Sequence, residues 1–359
     1  MIPRPSLRSS HVYLRAREVA QRSYAASRIS SPLHASSAAV AYQSSWSPSS
    51  SPSASPPPSF NPTSIRPLHT TSRLAMALPT VKNDWSATQY LKFGNERTRP
   101  VYDMFSQVMP HLSSKATPLK IYDLGCGPGN STAVLSSAFP GATITGMDSS
   151  PDMLSKARAA LPDLTFEHGD LATYQPAPDA DLLFSNAVFH WLRSEQRLPT
   201  LKKLFAGLGT GAVVAVQVPD NYHAPSHTLM RETALQRGKK WTAYFEGAGV
   251  GVLGEKERPD LDPIEAAEVW YNALAPLAES VNVWRTEYYH PLADASAVVE
   301  WVRGTGLQPY LQRMGEDEEA KGEFLKEYER LIEGAYGGRR EGGGVLLGYP
   351  RLFVVGVRK

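Results

Sequence analysis

Tyr122-Asp123-Leu124-Gly125-Cys126-Gly127-Pro128-Gly129-Asn130 is the stretch whose reading decides the fold. It is preceded and entered by an apolar run, residues 119–124, with Ile121 and Leu124 as its bulk, which predicts a short buried strand. Three glycines break the run. Ser131-Thr132-Ala133-Val134-Leu135 then predicts a helix, with Asn130 or Ser131 as its cap. Strand, glycine turn and helix together bring backbone N–H groups close to a nucleotide-like ligand. The glycines stand at 125, 127 and 129, whereas a dinucleotide fingerprint places its third glycine where this chain has Asn130. A tight turn needing positive φ would explain such a triplet alone, so its surroundings decide.

Downstream the same rhythm repeats. Residues 143–147 predict a strand ending at Asp148, and Ser149 or Ser150 caps a helix with Pro151 in its first turn and Met153, Leu154 and Ala157 on its apolar side. Residues 164–167 lead to His168-Gly169-Asp170-Leu171, and 181–185 lead to Asn186 and then Phe189-His190-Trp191. A helix follows, interrupted by Gly207, Gly209 and Gly211, before a strand at 212–218 that reads as apolar throughout. Further strands are predicted at 282–289 and 351–357, the last one antiparallel. Short β-branched runs alternating with helices predict an α/β fold with a doubly wound, mostly parallel seven-stranded sheet. Residues 221–280 and 296–340 break the rhythm and are expected to form a helical cap, and 101–109 a helical lid ahead of the core.

Composition divides the chain. Residues 1–80 are rich in Ser, Pro and Ala and hold eight arginines against one acid, Glu18, a balance of +7. The remaining 29 bases and 34 acids leave 81–359 near −5. The first part is expected to be disordered, with the composition of a mitochondrial transit peptide cut near Ala75–Met76, which predicts a matrix protein; a cytoplasmic chain starting at Met76 is the alternative. The mildly acidic body has no basic stripe, which argues against nucleic acid as a partner. No apolar run approaches the length of a membrane span. Cys126 is the only cysteine, so neither an internal disulfide nor a cysteine-built metal cluster is possible.

In an open α/β sheet ligands lie beyond the carboxyl ends of the strands. Asp148 is placed to accept from both hydroxyls of a ribose, Met153 to cover a purine face, Asp170 to accept from the purine amino group, and Leu171 to pack on the ring. Asn186 falls beside the reactive end. With no phosphate to hold, Asp123 ahead of Gly125 and Asp148 at the next strand end are expected for S-adenosylmethionine. Gly125, Cys126, Gly127, Asn130 and Ser149 complete the expected cofactor contacts.

The patterns DLGCGPGN, GMDSS, HGD and SNAVFHW resemble class I S-adenosylmethionine-dependent methyltransferases, with their Rossmann-like sheet. More closely, ERTRP, VPDNY, WRTEYYH, W-x2-GTGL and YPRLFVV resemble the trans-aconitate methyltransferase family from residue 84 onward; the stretch from Gln236 to about Pro263 departs from it, and 1–83 have no counterpart. The resemblance implies a carboxyl O-methyltransferase making a monomethyl ester of trans-aconitate or a similar small polycarboxylic acid. An ionised carboxylate needs no general base, so no catalytic acid or base is expected, and Trp191 is the candidate for orienting the reacting group. Arg99, His190, Tyr289, Tyr349 and Arg351 join Trp191 as expected acceptor contacts, Arg97 is expected at the surface, and a monomer is expected. The alternatives are a different small-molecule acceptor on the same fold, or an inactive mitochondrial assembly factor.

Overall fold

Leu182–Asn186 and Val213–Pro219 are buried on both faces, which is why Leu182, Leu183 and Phe184, and residues 213–216, read as consecutive apolar residues rather than alternating ones; the second strand is not apolar throughout as expected, since it holds the buried Gln217. The computed structural model describes residues 94–113, 118–255, 257–337, 341 and 343–359. Among them one seven-stranded sheet runs in the order β3-β2-β1-β4-β5-β7-β6. The strands are β1 (Lys120–Leu124), β2 (Thr143–Asp148), β3 (Thr165–His168), β4 (Leu182–Asn186), β5 (Val213–Pro219), β6 (Ala278–Leu292) and β7 (Val345–Arg358). The first five are parallel, and β7 runs antiparallel between β5 and β6. Both final strands are longer than their sequence signals.

Helices cover both faces. On one, α1 (Gly94–Leu112) and α2 (Asn130–Ala138) set Met104, Phe105 and Leu135 against Ile121, Val213 and Phe353. The helix after β2, α3 (Pro151–Ala160), is capped by Ser150, whose Oγ accepts from Met153 N. On the other face, α4 (Ser194–Ala206) and α7 (Ala267–Leu274) set Phe205, Trp270 and Leu274 against Val214 and Leu352. The cap is therefore narrower than 221–280, since α7 belongs to the core. Its members are α5 (Pro225–Ala234), α6 (Thr242–Phe245), α8 (Ala295–Arg303), α9 (Gln308–Arg313) and α10 (Glu318–Tyr336). They share an aromatic core of Trp241, Phe245, Trp301, Phe324 and Tyr328 that joins Leu347 and Tyr349 at the start of β7. No helix among the described residues is long and apolar enough to cross a membrane. The expected leader, residues 1–80, lies outside the described residues.

The glycine turn is built differently from its sequence reading at one point. The cap of α2 is Gly129, at φ 95°, with no side-chain cap bond. Ser131 Oγ and Thr132 Oγ1 instead donate back to Asp123 Oδ2, at 2.7 and 2.6 Å. Gly125, at φ 74°, lies so close to Val188 that a Cβ there would come within 2.2 Å of its methyl group.

Candidate active site

Beyond the carboxyl ends of β1 to β5, and closed by the cap and the start of β7, lies a cavity of about 330 Å³. One end is formed by Gly125, Gly127, Asp148, Ser149, Met153, Asp170, Leu171 and Asn186. The Asp148 carboxylate is held by two amides, Oδ2 accepting from Gly127 N at 2.8 Å and Oδ1 from Ser150 N at 2.9 Å. It thus ties the glycine turn to the start of α3, and a carboxylate oxygen can accept more than one hydrogen bond. Asp170 Oδ1 accepts from Ala172 N at 2.9 Å, which shapes the turn after β3. Met153 and Leu171 supply buried apolar surface. Asn186 Oδ1 is buried with no hydrogen-bond partner among the described residues. The next residue, Ala187, takes φ 60°, a strained value for a side-chain-bearing residue that redirects the chain into the short helix Phe189–Trp191.

The rest of the lining carries His190, Trp191, Trp301, Thr305, Tyr349 and two buried cations, Arg351 on β7 and Arg97, which also borders the glycine turn. Arg97 NH2 donates to Trp301 O at 2.9 Å, and its guanidinium carbon lies 5.6 Å from the Trp301 ring centre. The Arg351 guanidinium lies 5.0 Å from the Tyr349 ring centre and donates to Gln217 Oε1 at 3.1 Å. Four strand spacings separate β2 from β7, so Asp148 and Arg351 belong to ends roughly 19 Å apart. Burial, and then the neighbouring charges of Arg197 and Arg351, hold the His190 imidazole well below its ordinary pKa, and it is neutral. His290 is pushed down to about 4 by burial and then by Arg351, Arg99 and Arg97. Both rings respond to a positive potential suited to anions.

The turn bearing His190 and Trp191 is anchored from below. Arg197 is fully buried; its Nε donates to Phe189 O at 3.2 Å and its NH2 to Leu192 O at 3.1 Å. Its NH1 meets the Glu265 carboxylate at 2.9 Å and Pro263 O at 3.0 Å.

A methyltransferase-domain family matches residues 121–211. The trans-aconitate 2-methyltransferase of Agrobacterium fabrum (strain C58) is 46% identical over 275 residues, covering 77% of this chain and 99% of its own length. That of Rhizobium etli is 44% identical, covering 76% of this chain and 99% of its own length. The chain belongs to the trans-aconitate 2-methyltransferase family. As a member it is an S-adenosylmethionine-dependent methyltransferase, and its cavity suits that cofactor. Glycines let backbone approach, Asp148 lies where a ribose can be met, apolar Met153 and Leu171 flank a place for a purine, and Asn186 Oδ1 is an acceptor suited to a positive group.

Three expected contacts of this methyltransferase are corrected. Asp123 does not line the cavity; it lies fully buried on β1, bound to Ser131 and Thr132, and burial pushes its carboxyl up to about 6. Its part is to hold the turn against α2. Arg99 points outward on α1, over the Tyr288 ring. Tyr289 is 56% exposed and donates to Glu287, because the alternation of β6 turns Tyr288 inward instead. Tyr288 OH in turn donates to Asp103 on α1. Cys126 and Asn130 face an adjoining hollow of about 20 Å³ that shares Gly125, Gly127, Arg97 and Asn186 with the main cavity. Burial raises the Cys126 thiol far above its ordinary range, so it stays protonated and is no nucleophile. Arg97, Trp301 and Thr305 are cavity residues whose roles the sequence reading missed. For Trp301 and Thr305 the signal was present, in the W-x2-GTGL motif. For Arg97 the expected surface position is wrong: it is buried through a contact 204 residues away in sequence.

Proposed function

We propose that this enzyme transfers the methyl group of S-adenosylmethionine to one carboxylate of trans-aconitate or a similar small polycarboxylic acid, giving a monomethyl ester. The observation that carries this reading is the division of charge in the cavity. Asp148 and Asp170 lie at one end and the buried guanidinium of Arg351 at the other, with buried Arg97 bound to Trp301 O and bordering the glycine turn. Two cations can hold the carboxylates that do not react, leaving the third to be aligned. Bound S-adenosylmethionine supplies an electrophilic methyl group on a positively charged sulfur. The acceptor carboxylate is already ionised at neutral pH, so the residues here need only orient it, with Trp191 and the neutral His190 beside it, and exclude water. The family relatives carry the trans-aconitate name, which supports the same acid.

The test is full-length protein with methyl-labelled donor and a panel of trans-aconitate, citrate, isopropylmalate and monocarboxylic acids. Base-labile label formed from polycarboxylates and not from monocarboxylates supports the reading. No ester from any of them would defeat it. We also propose that the chain acts in the mitochondrial matrix, supported by the basic, acid-poor composition of residues 1–80. Import of the full chain into isolated mitochondria with cleavage near Met76 tests this, and an uncleaved chain left outside would point to the cytoplasm.

A further inference from the structure

His190 stands in the wall between two spaces: it lines the main cavity and also a hollow of about 20 Å³ that it shares with Asn221, His227 and Arg231. The residue is buried, and its Nδ1 is sealed from water with no hydrogen-bond partner among the described residues. Its Nε2 is not sealed in that way. The turn that carries the ring is fixed, since Arg197 donates to Phe189 O before it and to Leu192 O after it. The Trp191 ring lies alongside, 4.9 Å between centres. A buried polar atom left without a partner in a turn held this firmly calls for an explanation.

The two ring nitrogens are not equivalent, and the proton of a neutral imidazole must sit on one of them. A sealed N–H with no acceptor forfeits its hydrogen bond to water outright, and orphaned buried N–H groups are rare, whereas acceptors are left short more often. Nδ1 is therefore the bare nitrogen. An imidazolium would carry an N–H on both nitrogens and meets the same objection, in accord with the depressed pKa of this ring. What remains is a proton on Nε2, the nitrogen within reach of a ligand. In that form the ring donates from Nε2 and has no lone pair there with which to take a proton.

We propose that His190 is the Nε2-protonated donor that meets the acceptor carboxylate, and that this tautomer restricts the site to acceptors that bring their own negative charge. A carboxylate accepts from Nε2–H and needs no base. A hydroxyl or amine acceptor would have to give up its proton, and His190 in this form cannot receive it. The assignment deepens the acceptor reading given above and rests on it.

The experiment uses the full chain with its histidine rings labelled with nitrogen-15, and compares the parent with His190→Gln, His190→Asn and His190→Phe. The His190 signals are those missing from the His190→Gln spectrum. They are expected to show a proton on Nε2 and none on Nδ1 at pH 7, and the Nε2 signal should move when trans-aconitate is added over saturating S-adenosylhomocysteine. A glutamine amide can reach the place of Nε2, and an asparagine amide that of Nδ1. The trans-aconitate KM is therefore expected to stay within about threefold of the parent in His190→Gln. It should rise by about ten- to a hundredfold in His190→Asn and His190→Phe, the scale of one hydrogen bond to a charged group. S-Adenosylhomocysteine affinity by calorimetry should change by less than about twofold in all three. A proton on Nδ1, or on both nitrogens, overturns the assignment, and so does a parent-like KM in His190→Phe. Loss of donor and acceptor binding alike in all three variants would show a packing role only, and also overturns it. If the tautomer is as assigned but the parent esterifies no polycarboxylate and its Nε2 signal is unmoved by trans-aconitate, the acceptor reading itself has failed, and the binding role with it.

Discussion

Asp148→Ala separates a duty that one carboxylate performs in the structure from a second that we propose for it. In the structure Asp148 accepts from Gly127 N and from Ser150 N, joining the glycine turn to the start of α3. A hydrogen bond to a charged acceptor contributes about 1.5–3 kcal/mol, and the partial exposure of Asp148 argues for the lower figure. Removing both should cost the free protein about 2–4 kcal/mol in urea unfolding. The second duty, which we propose from its place at the cavity, is to accept from the ribose of the cofactor, and leaving those hydroxyls unmatched should weaken S-adenosylhomocysteine by about 1–3 kcal/mol, roughly 5- to 150-fold. Calorimetry gives the affinity directly. An analogue lacking both ribose hydroxyls distinguishes the duties. It should bind the parent protein more weakly than S-adenosylhomocysteine does, while Asp148→Ala should bind the two alike. If the variant still discriminates between them in full, Asp148 acts only through the turn. If its affinity for S-adenosylhomocysteine equals that of the parent, the ribose lies elsewhere and the reasoning is refuted.

Other consequences are simpler to read. Gly125→Ala forces a Cβ within 2.2 Å of Val188 at a φ of 74°, and equilibrium dialysis should show donor binding reduced by more than about tenfold. Arg197→Met removes the anchor of the His190-Trp191 turn and strands Glu265; it should cost about 3–5 kcal/mol in urea unfolding, partly restored by adding Glu265→Gln. Stability should fall on acidification, because His190, His227 and His290 are all held below the 6.5 of an unfolded histidine, His227 at about 3 and His290 at about 4. Their contribution is complete above pH 6.5 and is lost as the pH drops through the folded values, at roughly 1.4 kcal/mol per histidine per unit. Asp123 works in the opposite sense: raised from 3.8 to about 6, its contribution is present below pH 3.8 and lost as the pH rises through 6. Three histidines outweigh one aspartate, so Tm should decline from pH 7 to 4.5, and a rising Tm would show that the imidazoles are not buried neutral.

What the sequence revealed was local. Glycine turns, serine caps and strand ends depend on neighbours within a few residues, so Asp148, Met153, Asp170 and Asn186 could be placed at the cavity from sequence alone. Tyr349 and Arg351 followed from the antiparallel sense of the last strand. The failures are long-range. Arg97 is buried by a contact with Trp301, and nothing near either residue signals the meeting. Tyr288 and Tyr289 differ only in the phase of a pleat, which the sheet's pairing sets and single-strand reading does not. Asp123 has the right neighbours but sits inside the strand, one residue short of its end. Helix α7 shows an amphipathic pattern equally suited to cap or core, and its packing of Trp270 on Leu352 decides for the core. Gln217 was hidden by the apolar residues on either side of it.

The proposed chemistry depends on an acceptor that arrives ionised and is only held and aligned. Single-turnover methyl transfer to trans-aconitate between pH 6.5 and 9, with both ligands saturating, measures this most directly. The rate constant should stay level within about twofold, since no proton leaves the acceptor in the transfer. A tenfold rise per pH unit, or a bell with a limb near neutrality, would reveal a group that must lose a proton first and would contradict it.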